Sequence, residues 1–146
     1  MNAEINNGLK AFFVLGVYFF VVEAIGLTHT TFLRMLNILI VGYFVNNIIT
    51  LRMNEGRNFV SLFVSAFSTN LIAVMLSIIS LTGYIYFIQG EEYINTLSQP
   101  LLDIGHFKLS LFQFAFAIFA EGFASGIILS FGIMQYWKNK LSSSGI

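Results

Sequence analysis

The sequence predicts an all-α fold: a polytopic membrane protein built as a four-helix transmembrane bundle, with both termini on the inner side. Three observations predict it. The first is an unbroken run of 32 residues, 58–89, with no charged side chain and no proline; about 20 apolar residues already span a hydrocarbon core of roughly 30 Å. The second is composition. Charged residues make up 10% of the 146 and apolar residues 57%, against about 25% charged in an average soluble domain. Surface-to-volume scaling leaves a chain of this size no way to hide so much hydrocarbon from water. The third is that three similar runs surround the first, and none of them alternates as a barrel strand does.

The first span is expected at about 9–27. Residues 11–22 resemble the h-region of a signal peptide, but Glu4 offsets Lys10 ahead of them and Glu23 stands where a small-x-small cleavage site belongs. An uncleaved span is therefore expected. A tight turn at Thr28-His29-Thr30-Thr31 leads to the second span, about 32–51. The connection 52–57 follows, with Gly56 suited to a left-handed position. The third span, about 59–88, is about 45 Å long at 1.5 Å per residue, so it must tilt or project beyond the lipid. The connection 89–107 contains the single proline, Pro100. After Gly90, the stretch Glu91-Glu92-Tyr93-Ile94-Asn95-Thr96-Leu97 reads as a helix start with acids in its first turn. This segment is either an interfacial helix lying on the bilayer or a plain loop. The fourth span is expected at about 109–137, followed by a polar tail. Four spans and their connections use the whole length as a single transmembrane domain.

Orientation follows from the basic residues. Lys10, Arg52, Arg57, Lys138 and Lys140 fall on the side of the termini, and Arg34 and Lys108 on the other. The excess places both termini inside, as in a multi-pass protein of the bacterial inner membrane. Tyr84 and Tyr86, and at the opposite face Tyr136 and Trp137, suit the interfacial aromatic belts. The lipid bilayer is the expected partner, with a homo-oligomer or a larger membrane complex as further expectations. The formal charge is zero and no basic patch offers itself to phosphates, so nucleic acid is not an expected partner. The absence of cysteine removes disulfides and thiolate sites.

Polar residues within the spans carry the functional question, because an ionisable group in hydrocarbon costs at least about 2.5 kcal/mol. Glu23 lies six residues before His29 and Arg34 five after it. A hairpin turning there puts both at one depth, so a structural ion pair stapling spans one and two is expected; a gating or substrate-binding role is the alternative. Glu121 lies thirteen residues beyond Lys108 and seventeen before Lys138, near the midplane, and Asn70 reaches a comparable depth. Three readings stand for Glu121. It is interhelical polar glue bonded to Asn70 or a nearby serine, a proton- or cation-binding carboxylate in a transport path, or a contact with a partner subunit.

Ala66, Asn70, Ala73, Ser77 and Ser80 recur at spacings of four and three, the seam period of packed helices, and Ser65 and Thr69 widen that face. The matching surface on the fourth span is expected to be Ala117, Glu121, Ala124 and Ser125, with Gly122 and Gly126 at a GxxxG spacing. Asn37, Asn46 and Asn47 are expected to form further interhelical hydrogen bonds. His29 and His106 fall near Glu91, Glu92 and Asp103, a set of donors that suits zinc. Their spacing matches no metal motif, so no metal is expected. Neither histidine sits within a span to hold haem, and no other cofactor is expected. No nucleophile–base set, phosphate loop or pair of catalytic carboxylates is visible, so enzymatic activity is not expected.

Three segments carry a family resemblance. They are Gly56-Arg57 leading into Phe59-Val60-Ser61 with Ala66-Phe67, the polar segment after Tyr84-Ile85-Tyr86-Phe87, and Glu121 followed by Gly126-Ile127-Ile128-Leu129-Ser130 and a basic tail. In these the chain resembles a family of uncharacterised four-span membrane proteins common in Bacteroidota, defined only as a domain of unknown function. The resemblance implies architecture and no activity. The expected function is thus a non-enzymatic membrane protein, an accessory or assembly subunit of a membrane complex. The alternative is a small oligomeric proton-coupled transporter or channel using Glu121. Small multidrug transporters share this size and carry a carboxylate in their first span, but pairing of Glu23 with Arg34 argues against that analogy. A lipid-modifying enzyme lacks a visible catalytic set.

Overall fold

The computed structural model describes residues 2–28, 31–90, 92–102 and 109–143. They form α1 (Asn2–Ala24), α2 (Thr31–Asn54), α3 (Phe59–Tyr84) continued by one π-helical turn (Ile85–Gln89), α4 (Glu92–Leu102) and α5 (Leu111–Ser143). Four of these segments are long and apolar enough to cross a membrane: α1, α2, α3 with its π-turn, and α5. No strand occurs among the described residues.

Local chemistry sets the ends. The Oδ1 of Asn58 accepts from the backbone N–H of Ser61 at 3.0 Å, so Asn58 is the N-cap of α3. At the end of α2, Gly56 has φ +72°; its N–H and that of Arg57 return to the carbonyls of Met53 and Arg52, closing the helix with a left-handed residue. α5 opens with a reciprocal cap. Ser110 Oγ accepts from Gln113 N–H at 3.3 Å, and Gln113 Oε1 accepts from Ser110 N–H at 3.0 Å, the Ser-x-x-Gln form of the capping box.

One boundary differs from the expectation. α1 starts at Asn2, not near residue 9, because its first-turn polar groups have partners on other helices and need no aqueous loop. The apolar fourth span ends at Trp137, as expected, and its helix continues to Ser143.

α3 is the spine of the bundle. It packs against α1, α2 and α5, while α2 also touches α1 and α5. The inner core joins Val41, Val45 and Ile49 of α2 to Leu62 and Ala66 of α3 and Met134 of α5. The outer core joins Ile85, Ile94, Leu97 and Phe114. The segment 89–107 is therefore helical in part, and α4 turns Ile94, Leu97 and Ser98 into the bundle as a cap on its outer end.

Along α3, Ala66, Asn70 and Ala73 are buried with Ser65 and Thr69, and Ser77 is half-buried. Ser80 is exposed, contrary to its expected place in the seam. The buried face rotates: at 100° per residue, Ile85 lies about 100° round the helix from Ala66. The outer half of α3 thus turns toward α4 and leaves Ser80 outside.

Candidate functional site

Polar side chains gather at three depths. At the inner end, Glu4 of α1 and Arg52 of α2 form a bidentate pair: Arg52 Nε donates to Glu4 Oε1 at 2.9 Å, and Nη2 donates to Oε2 at 2.8 Å. Ser65 of α3 donates to the same carboxylate at 2.9 Å. The two charged side chains are 9% and 13% exposed, so the carboxylate is desolvated, with charge-assisted bonds in place of water. One turn deeper, Asn47 Nδ2 donates to Asn7 Oδ1 at 2.9 Å and Asn7 Nδ2 to Ala3 O at 2.9 Å. Trp137 of α5 donates to Asn46 Oδ1 at 2.8 Å. This knot ties all four spans together. Outside it, Arg52 Nη1 reaches Glu55 at 2.7 Å; the guanidinium holds that exposed carboxyl below the usual carboxylate range.

At mid-depth, Asn70 is 3% exposed, and its Nδ2 donates to the Gly122 carbonyl at 3.3 Å. The Asn70 amide lies over Gly126, and Val74 lies over Gly122, where a Cβ would fall 2.8 Å from Val74 Cγ1. The glycine face of α5, not the Ala117–Glu121–Ala124 face, therefore meets α3. Glycine wins because only a missing Cβ admits Asn70 and Val74 this close. One residue of register is about 100° of rotation, and it places Ala117, Glu121 and Ala124 on the exposed side of α5.

At the outer end, Glu23 Oε1 accepts three hydrogen bonds. They come from Tyr84 OH at 2.7 Å, Tyr93 OH at 3.0 Å and Gln89 Nε2 at 3.0 Å. The π-turn makes this convergence. Residues five apart on an α-helix point about 140° away from each other, whereas the wider i→i+5 turn, closed by Gly90 N–H on Ile85 O at 2.8 Å, returns Gln89 to the side of Tyr84. The two are then hydrogen-bonded at 2.7 Å. Gly90, at φ +80°, redirects the chain so that α4 presents Tyr93. Burial first, and then the Glu23 carboxylate it donates to, push the Tyr93 phenol well above its ordinary range.

Of the sequence-predicted residues, Glu23 is bound by these three groups, and Tyr84 faces it instead of joining a lipid-side belt. The Arg34 side chain lies outside the described residues, as do His29, Glu91, Asp103 and His106. Of two surface depressions, one of about 350 Å³ between α2 and α5 beside Gly42 and Gly132 touches Asn46 of the inner centre, and one of about 460 Å³ beside Val17 and Tyr18 reaches none of the three polar centres.

Sequence reasoning missed the Glu4–Arg52 centre, although the signal was present. The hairpin register that sets Glu23 opposite Arg34 also sets Glu4 opposite Arg52, each being 24 positions from Thr28. The π-turn has no comparable signal.

The fold and these centres define the class: an all-α membrane bundle with hydrogen-bonded carboxylates at both rims. No protein-family model, curated protein or solved structure matches the chain.

Proposed function

We propose that the chain is a non-enzymatic multi-pass subunit of a larger assembly in the bacterial inner membrane, docked through the exposed face of α5. The observation that carries this reading is the exposed row of small side chains on that face, Ala117, Ala120 and Ala124, with Glu121 among them, about 15 Å along the helix from Leu111. Small side chains there admit a neighbouring helix closely. The packing of Asn70 and Val74 onto the α5 glycines supports the same reading, because it leaves no width for a substrate between α3 and α5.

Photo-crosslinking from Ala120 and Ala124 in native membranes tests it. A discrete adduct with one second protein, in yields that a position on α1 such as Phe13 does not give, is the expected result. A chain that purifies at monomer mass and crosslinks only to lipid overturns the reading. A small oligomeric proton-coupled transporter remains the second reading, favoured by the same carboxyl if the neighbour is another copy. It requires proton flux in proteoliposomes that Glu121→Gln abolishes while the helices stay folded. Absence of flux from the unmodified chain removes it.

A further inference from the structure

The outer carboxylate centre has an unequal inventory of donors and acceptors. Tyr84 and Tyr93 each have one O–H, and the Gln89 amide has two N–H groups. Both phenol hydrogens go to Glu23 Oε1, and Gln89 Nε2 donates to that oxygen and to Tyr84 OH; the Thr28 side chain is hydrogen-bonded to Tyr93. The cluster offers further acceptors: Glu23 Oε2, which receives no hydrogen bond among the described residues, the Gln89 carbonyl, and a lone pair on the Tyr84 oxygen. The cluster has one formal negative charge and no cation among its described members.

We propose that this centre, Glu23 with Tyr84, Gln89 and Tyr93, binds a primary ammonium group at the outer membrane surface. An ammonium supplies a positive charge and three N–H donors directed at a carboxylate oxygen, an amide carbonyl and a phenol oxygen. The aromatic surroundings fit the same ligand. The rings of Tyr84 and Tyr93 stand 6.2 Å apart at 78°, and Phe20 lies 5.7 Å from Tyr84; ring faces attract a cation. A quaternary ammonium has no N–H to give, and a hard divalent cation asks for six or more oxygens, of which one carboxylate supplies too few. Glu23 lies in the last turn of α1, which ends at Ala24, so the site sits at headgroup depth. The ammonium comes either from an ethanolamine lipid headgroup or from a soluble amine.

The full chain in phosphatidylcholine nanodiscs, with and without phosphatidylethanolamine, tests the proposal by native mass spectrometry and thermal unfolding. Retained ethanolamine-lipid adducts and a raised melting temperature are expected, because a ligand that binds only the native state stabilises it. Glu23→Gln should weaken retention by about tenfold or more, the worth of a charge-assisted hydrogen bond. Tyr93→Phe, which keeps the charge, should weaken it less. Stabilisation by the lipid but not by free ethanolamine assigns the lipid source, and the reverse assigns a soluble amine. Equal stabilisation by choline and ethanolamine forms, or no stabilisation of the unmodified protein by either, overturns the proposal. A preference that appears only after Arg34→Gln also overturns it, since Arg34 then occupies the site itself. The comparison of lipids on the unmodified chain stands even if Glu23→Gln fails to fold.

Discussion

The Glu4–Arg52 pair should behave as a desolvated ion pair, and a double-mutant cycle of Glu4→Gln and Arg52→Gln measures it. Two charge-assisted hydrogen bonds at 2.9 and 2.8 Å join the residues. Such bonds contribute about 1.5–3 kcal/mol each when buried, and removing one partner of a buried pair costs about 3–5 kcal/mol. Arg52 is 13% exposed at the rim of the bundle, which favours the lower end and gives a coupling of about 2–3 kcal/mol. At 1.4 kcal/mol per factor of ten, this is about 30- to 150-fold in the unfolding equilibrium. The singles should be unequal. Arg52→Gln removes two charge-assisted hydrogen bonds from a carboxylate 9% exposed, whereas Glu4→Gln leaves Arg52 with Glu55 at 2.7 Å. Arg52→Gln should therefore be the more damaging. Reversible unfolding in bicelles, by steric trapping, reads all four corners. Glu55→Gln, in a side chain 40% exposed, should leave stability within error. A coupling below about 1 kcal/mol, the range of an exposed pair, or a larger loss from Glu4→Gln than from Arg52→Gln, would refute the reasoning.

Gly126→Ala should destabilise by about 1–3 kcal/mol through overpacking against Asn70, and Asn70→Ala in the same chain should recover part of that loss. Gly132→Ala, with no atom within 4 Å of the new Cβ, should be neutral or stabilising by up to about 1 kcal/mol; equal melting temperatures for the two alanine variants would contradict the packing described. Tyr93 gives a pH prediction. Its folded-state pKa is raised above the ordinary value of 10.0, so its contribution is fully present below pH 10 and is lost as pH rises beyond it, where the unfolded phenol ionises and the folded one does not. Ultraviolet titration should show one phenol ionising only with alkaline unfolding, and Tyr93→Phe should remove that late step and flatten the fall of stability above pH 10.

The fold was legible because hydrocarbon length and charge exclusion are properties of sequence runs. The four spans needed no tertiary information, and Gly56 and Gly90 marked their turns by chemistry alone. The face each helix presents was less legible, for a physical reason. On α5, Ala117–Glu121–Ala124 and Gly122–Gly126 differ by one residue, and both offer small side chains at helical spacing. Only the match to Asn70 and Val74 across the interface decides between them. On α3 the period-based seam runs straight, while the real one turns to follow α4, so Ser80 falls outside it.

The two rim carboxylates show how burial was made tolerable without emptying the helix of polar groups. Glu4 and Glu23 lie about 28 Å apart along α1 at 1.5 Å per residue, close to the thickness of the hydrocarbon core. Each is met by donors from other helices: Arg52 and Ser65 on one, Tyr84, Gln89 and Tyr93 on the other. The chemistry of the two sets differs. The inner set brings a guanidinium whose charge cancels that of Glu4, so it fixes α1 to α2 and α3 and leaves nothing for a ligand to complete. Among the described residues the outer set brings neutral donors directed at one oxygen. Hydrogen bonds leave the formal charge of that carboxylate in place, and such a site is one that a cationic donor can enter. The same α-helix thus ends in a locked joint on one face and an acceptor-rich centre on the other, and the π-turn that aims Gln89 is what separates the second from the first.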